Sequence, residues 1–236
     1  MSKKHRVVLT GAGVSAESGF QTFRDSGGLW EQYDVNDVAS HEGWYRNRKL
    51  VLDFYNGLRV QLRDAKPNSA HCDIAALEKD YDVDVITQNV DNLHERAGST
   101  RVLHLHGELT KVRPESGIYD RSGREDEVID VGYEAVSLGD KAPNGQQLRP
   151  HIVFFGEAVP NIEKAIDLVE TADILLIVGT SLQVYPAAGL YRYARRGIPV
   201  YVIDPADIPM MDRNITHIKE KATVGMKKFI QLLQGL

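Results

Sequence analysis

The residues of this chain whose types and spacing suit chemistry fall in three places. The stretch TQNVDNLHERAG sets Gln88, Asn89 and Asp91 directly after the apolar run VDVI. Two amides and an acid at the carboxyl end of a strand suit the hydroxyls of a ribose and a carboxamide. Turn chemistry explains one or two of them, but less readily all three. HLHGEL adds His104 and His106. Read as strand residues pointing to opposite faces, they make a poor pair for one metal. One is expected to be buried or structural and the other to face a crevice. His106, beside Gly107, is the candidate general base, because an imidazole takes a proton from a hydroxyl near neutral pH. A structural histidine is the competing reading. In LTGAGVSAESGFQTFRDSGGLW, Gly11, Gly13 and Ala16 fit a phosphate-binding loop after the apolar run RVVLT. The glycines allow a tight turn and close approach to a pyrophosphate, and the following amides and Ser15 can donate to its oxygens. The usual second strand with its ribose acid is replaced by FQTFRDSGGLW, where Arg24 can reach phosphate or ribose and Phe23 can cover a flat ring or simply pack.

These groups need a scaffold that gathers strand ends. Strand and helix signals alternate: RVVLT, a helix over SAHCDIAALEKD, strands at VDVITQNVD and RVLHLHG, a helix at PNIEKAIDLVETA, a strand at DILLIVGTS, a helix at AAGLYRYARRG, a strand at PVYVID and a closing helix at ATVGMKKFIQLLQGL. The alternation predicts an α/β fold, a Rossmann-like parallel sheet covered by helices on both faces. Ligands of such sheets bind beyond the carboxyl ends of the strands, so TGAG, TQNVD, GTS and IDP should converge. Two insertions, 36–68 and 111–150, break the pattern and are expected to form a small domain beside a main domain of 1–35, 69–110 and 151–236. The run RPHIVFFGE is either an ordinary buried strand or an edge to which a peptide adds as a strand. The single cysteine, Cys72, lies on a helical pattern and is expected to be a buried thiol.

Composition sets limits. The chain has 236 residues and a net charge of −5, which argues against nucleic-acid binding. No apolar run approaches the roughly 20 residues that span a bilayer, and the N-terminus enters a strand without a signal-peptide pattern. A cytoplasmic protein with no membrane partner is expected. One cysteine excludes an intrachain disulfide and a four-cysteine zinc site. The sequence does not set the oligomeric state.

Five stretches, GAGVSAESGFQTFR, TQNVDNLHERAG, HLHGEL, RPHIVFFGE and GTSLQVYPAAGL, occur in an order that closely resembles the sirtuins, the NAD-dependent protein lysine deacylases. The resemblance implies an NAD site lined by Gly11, Ala12, Gly13, Ser15, Phe23 and Arg24, with Gln88, Asn89 and Asp91 on the ribose and nicotinamide side. It makes His106 the general base, with Asn89 beside it in catalysis. Gly179, Thr180 and Ser181 would approach ribose and phosphate, and Asp204 and Ala222 the adenosine end. Val153, Phe154, Phe155 and Gly156 match the strand that pairs with an acyl-lysine peptide. The implied products are free lysine, nicotinamide and 2′-O-acyl-ADP-ribose.

Two departures from the family pattern matter. The family's small domain usually holds zinc on four cysteines between HGEL and RPHIVFFGE, an interval that here contains no Cys and no His. A zinc-free module is expected. The resemblance is closest to the branch that removes acidic acyl groups, in which Ala39 and Tyr55 match the acyl pocket. The position that should carry an arginine for the acyl carboxylate is Leu58. A leucine cannot pair with a carboxylate, and an unpaired buried charge is costly. Acetyl or a larger neutral acyl group is therefore expected ahead of succinyl. The competing functions are ADP-ribosyl transfer or NAD hydrolysis on the same scaffold, a non-catalytic NAD- or ADP-ribose-binding module, and a Rossmann dehydrogenase. The last lacks its second strand and ribose acid.

Overall fold

Period-two burial makes the central sheet. In β1 (His5–Thr10), Val7 and Leu9 face one side and Val8 the other. In β7 (Ile174–Val178), Leu175 and Ile177 face the first side while Ile174, Leu176 and Val178 face the second. A strand apolar on both faces must be covered twice. In the computed structural model, which describes residues 3–20, 33–116, 128–208 and 215–234, it is. One face packs on α4 (Ser69–Ala76) through Ala70 and Ile74, and on α7 (Ala222–Gln234) through Met226, Phe229 and Leu233. The other packs on α6 (Ile162–Thr171) through Ala165 and Val169.

With β2 (Asp82–Thr87), β3 (Val102–His104), β8 (Val200–Ile203) and β9 (Ile215–Ile218), these strands form a six-stranded sheet in the order β3-β2-β1-β7-β8-β9. Every adjacent pair is parallel. The chain leaves β1 toward β2 on one side and returns at β7 on the other. The crevice between the carboxyl ends of β1 and β7 is thus the switch point at which such sheets take ligands.

A second core lies beside it. The helices α1 (Val35–Val38), α2 (His41–Arg46) and α3 (Arg48–Asp64) pack on an antiparallel sheet of β5 (Ile129–Asp130), β4 (Gly107–Pro114) and β6 (Leu148–Ile152). The helical repeat of α3 buries Val51, Leu52, Tyr55, Leu58 and Leu62 on one face. The divisions at 110/111 and 150/151 each fall inside a strand, because β4 begins at Gly107 and β6 ends at Ile152.

Three sequence expectations need correction. The segment around AAGLYRYARRG is a 3-10 helix, Ala187–Tyr193, rather than an α-helix; Gly189 and two tyrosines lower its helix propensity. The helix at SAHCDIAALEKD is α only to Ala76 and continues as a 3-10 turn, Leu77–Lys79. Cys72 is exposed, because the buried face of α4 is taken by Ala70, His71 and Ile74. Among the described residues no helix is long and apolar enough to cross a membrane.

Candidate active site

At the switch point, the loops after β1 and β7 pack glycine on glycine. Gly11 donates its N–H to the Val178 carbonyl (3.1 Å) and Gly13 to the Gly179 carbonyl (2.8 Å). A Cβ on Gly13 would lie 2.8 Å from Gly179 Cα. Gly179 has φ +61°, and a Cβ there would lie 2.4 Å from the Val14 nitrogen. Only glycines allow this approach. The N–H groups of Gly13, Val14 and Ser15 are therefore spent on Gly179, Gly11 and Ala12 carbonyls. This departs from the expectation that the amides after Gly11 point at phosphate. Ala12 is exposed at the rim. Phe23 and Arg24 lie outside the described residues.

Ser15 also turns inward. It is buried, and its hydroxyl donates to Asp91 Oδ2 (2.9 Å) and accepts from Asn89 Nδ2 (3.1 Å). Asn89 Nδ2 also donates to the Gly11 carbonyl (3.2 Å). Asp91 accepts from the Leu93 N–H at 3.1 Å, at the head of α5 (Leu93–Ala97). Burial pushes the Asp91 carboxyl above the usual range, opposed by its bonds from Leu93 and Ser15. The loop from Gln88 to Asp91 is thus welded to the glycine loop.

Sequence reading missed the layer beneath. The Nδ1 of His71 accepts from the Asn68 N–H (3.3 Å) within the capping box of α4, so its proton sits on Nε2, 3.4 Å from Ser15 Oγ. Thr10 Oγ1 donates to Thr87 Oγ1 (2.8 Å), which leaves His94 Nε2–H to donate to Thr10 (3.0 Å). Both rings are neutral: burial lowers His71 to about 4 and holds His94 well below the ordinary histidine value. The only sequence signal was the Asn-x-x-His spacing of the capping box, which explains one bond of one ring.

His106 lies between β3 and β4. Its Nδ1–H donates to the Gln88 carbonyl (3.0 Å), leaving the lone pair on Nε2. Burial lowers its pKa, opposed by the bond to Gln88, so the ring is an unprotonated base at neutral pH. Gly107 follows with φ +84°, and a Cβ there would lie 2.0 Å from the His151 carbonyl oxygen, so the His-Gly pair is fixed by the antiparallel pairing of β4 with β6. His104 is buried and bonds the neighbouring carbonyl, that of Asn89 (2.9 Å). One ring is buried and the other partly open, as expected, but the strand argument for it fails. Residues two apart on a continuous strand share a face. The rings differ because β3 ends at His104.

Thr180 Oγ1 accepts from Gln88 Nε2 (3.0 Å), joining the loops after β2 and β7, and Ser181 follows, half-buried. Asp204, after β8, folds its carboxylate back onto the Ala206 N–H (2.9 Å). Ala222, buried, opens α7, whose first turn is tied to the glycine loop by Glu17: its carboxylate accepts from Thr223 N–H (3.1 Å) and Oγ1–H (2.9 Å).

Ala39, Tyr55, Leu58 and Phe154 come together in the second core, all buried, with the Tyr55 and Phe154 rings 5.9 Å apart. Burial raises the Tyr55 hydroxyl. Arg59 turns away from Leu58: Nε donates to the Leu109 carbonyl (2.8 Å) and Nη1 to Asn56 Oδ1 (2.8 Å), and burial lowers it to about 10. The stretch Val153–Gly156 is not strand, since β6 ends at Ile152. Phe155 instead makes a parallel bridge with Ser40, donating to Ala39 (2.8 Å) and accepting from His41 (3.0 Å). Glu157 caps the turn by accepting from the Phe154 N–H (2.8 Å) and pairing with buried Arg149 (2.7 Å). Val153 is half-buried, while Phe155 and Gly156 are exposed.

The model of the Sir2 family matches residues 11–186, from the first glycine of the loop to Pro186. The chain belongs to the Sir2 family. It is 54% identical to an NAD-dependent protein deacylase of Bacteroides thetaiotaomicron, covering 98% of both chains. It resembles the structure of a Sir2 homologue in complex with NAD, at TM-score 0.85 and 35% identity over 99% of this chain and 90% of that one. A further similar structure is a Sir2 variant with a deacetylated p53 peptide and 3′-O-acetyl-ADP-ribose, at TM-score 0.80 and 30% identity over 98% of this chain and 94% of that one.

The donors present fit NAD. A glycine-floored switch-point crevice, amide and hydroxyl side chains on its walls and a neutral imidazole at its side are the groups a dinucleotide with a reactive ribose needs. They do not fit the family's zinc: the interval that should carry four thiolates has none.

Proposed function

We propose that His106 is the general base of an NAD-dependent protein lysine deacylase, with Asn89 beside it. The reading rests on one observation above all: the carbonyl of Gln88, the residue before Asn89, holds the His106 proton on Nδ1 and leaves Nε2 as a neutral base. The activity is NAD-dependent removal of acyl groups from protein lysines. NAD, when bound, supplies the ribose carbon that is attacked and the hydroxyl that finally carries the acyl group.

The chain's own residues do the rest. Gly11, Ala12, Gly13, Gly179, Thr180 and Ser181 cradle the phosphates and ribose, with Ser15 acting from beneath by locking Asn89 and Asp91. Phe23 and Arg24 are assigned to the same site on sequence alone. Gln88, Asn89 and Asp91 orient the nicotinamide side, and Asp204 and Ala222 bound the adenosine end. Nε2 of His106 takes a ribose hydroxyl proton, and the bond to Gln88 keeps the resulting imidazolium in place. Ala39, Tyr55, Leu58 and Phe154 wall an apolar acyl channel that excludes water, with Val153, Phe155 and Gly156 at its mouth for the peptide. We further assign 1–35, 69–110 and 151–236 to the NAD-binding part, and 36–68 and 111–150 to a small zinc-free part. A cytoplasmic setting, with neither nucleic acid nor membrane as partner, completes the reading.

Mass spectrometry of the protein with NAD and equal acetyl-lysine and succinyl-lysine peptides tests it. Acyl-ADP-ribose, nicotinamide and free lysine should appear together, and His106→Asn should slow their formation by roughly 10²–10⁴-fold. Nicotinamide release with both peptides intact would overturn deacylation in favour of ADP-ribosyl transfer or NAD hydrolysis. Metal analysis of the purified protein should find no stoichiometric zinc; one zinc per chain would sink the zinc-free assignment.

A further inference from the structure

The pair of carbonyls at the turn after β2 is gripped by two histidines that do different things. His106 uses only Nδ1 there, on Gln88. His104 has acceptors at both ends. Its Nδ1 lies 2.9 Å from the Asn89 carbonyl oxygen and its Nε2 2.8 Å from Glu95 Oε1. A carbonyl accepts only, and so does an ionised carboxylate. A neutral imidazole has one N–H and one lone pair, and would set that lone pair against an acceptor. Only the imidazolium satisfies both contacts. We propose that His104 is a positioning residue of the active site, an imidazolium that spans Glu95 and the Asn89 carbonyl and so fixes the turn from which Asn89 and the Gln88 carbonyl orient the reacting groups.

The surroundings agree. Glu95 lies on α5 and Glu108 on β4, and both raise the His104 pKa against the effect of burial. Buried Asp91 interacts favourably with the same charge, while His94 on α5 and His151 on β6 are driven further toward neutrality by it. Lys111 on β4 is occupied by Glu108 (2.7 Å). The pair lines a cavity of about 370 Å³ between β3 and the small sheet, which Leu105 and Gly107, on either side of His106 in the chain, and Arg113 and Asp130 line too. The Glu95 side chain is 39% exposed, so the clamp exchanges protons with water. His104 is buried, and its link to the turn is the Asn89 carbonyl. It acts through the Asn89 backbone.

Nitrogen-resolved NMR of the imidazoles in the full chain tests the charge directly. At pH 6.5, most of His104 should carry protons on both nitrogens and lose one only above that pH, while His106, which titrates below 6.5, is mostly a single neutral tautomer. A single neutral tautomer at His104 would overturn the proposal. In turnover, His104→Gln offers one nitrogen that cannot bridge both acceptors. It should lower kcat roughly ten-fold, as expected for one lost charge-assisted bond, with KM for peptide nearly unchanged. The wild-type alkaline decline of kcat, at the pKa read by NMR, should disappear in that variant. A merely structural role would lower the melting temperature and leave the pH limb in place, which also counts against the proposal. If His104→Gln does not fold, Glu95→Gln should move the limb to lower pH, and an unmoved limb overturns the clamp. The turnover arm rests on the deacylase reading and the NMR arm does not, so failure of one is distinguishable from failure of the other.

Discussion

Leu58 shows how much one side chain decides. It is buried beside Tyr55 and Phe154, and among the described residues the two guanidiniums near that wall are already engaged: Arg59 bonds the Leu109 carbonyl and Asn56, and Arg149, 3.9 Å from the Phe154 ring, pairs with Glu157. A neutral acyl group adds apolar contact in such a wall. A succinyl carboxylate would lose its hydration with nothing to replace it. Leu58→Arg should therefore raise the ratio of desuccinylation to deacetylation, by ten-fold or more if the guanidinium forms a charge-assisted pair. Competition between the two peptides measures it, and a ratio unchanged in a folded variant would sink the role given to Leu58. Placement at this scale was readable in advance: Gly11, Gly13, Gln88, Asn89 and Gly179 gather at the carboxyl ends of β1, β2 and β7. Hydrogen-bond direction was not readable. Ser15 was expected to face phosphate and instead bonds Asp91, because its partner lies 76 residues away in sequence.

Elements matter here through their ends. The alternating apolar runs made the parallel sheet and its two-sided cover legible, because burial on both faces leaves a local mark in every strand. The carboxyl ends were legible for the same reason. Contacts between loops leave no such mark, and so the inward use of the Gly13 and Val14 amides, the bridge of Phe155 to Ser40 and the early end of β6 all went unread. The interlocked glycines make the sharpest test at this scale. Gly179→Ala adds a methyl 2.4 Å from the Val14 nitrogen at φ +61°, a backbone conformation an L side chain rarely adopts. The loops after β1 and β7 must part to accept it. NAD affinity, read by calorimetry, should fall by at least ten-fold, with a stability loss of roughly 1–3 kcal/mol from the strained backbone. Wild-type NAD affinity in this variant would show that the crevice floor does not depend on the glycine contact.

At the scale of the whole molecule, the buried histidines tie the site to acid stability. His71 and His151 are lowered to about 4 by burial, and His94 and His106 are lowered for the same first reason. The unfolded chain binds protons at these positions near 6.5, before the folded chain does. Their contribution to stability is therefore complete above about 6.5 and is lost as pH falls toward the folded values. Each unit of separation is worth ~1.4 kcal/mol per group. Glu95 and Glu157, held low by His104 and Arg149, add a further loss at still lower pH. The raised carboxyl of Asp91 works the other way there, since its protonation relieves a buried charge. His104, raised by its carboxylates, contributes fully below about 6.5 and loses that contribution only on the alkaline side. The melting temperature of the NAD-free protein should hence drop between pH 6.5 and 4.5, by roughly 2–4 °C for each kcal/mol lost. A flat melting temperature across that interval would mean that these rings are solvated in the folded protein. The polar layer beneath the glycine loop, which joins His71 and His94 to Ser15, Asp91 and Asn89, would then not be dry, and the rigid support proposed for the NAD crevice would fail with it.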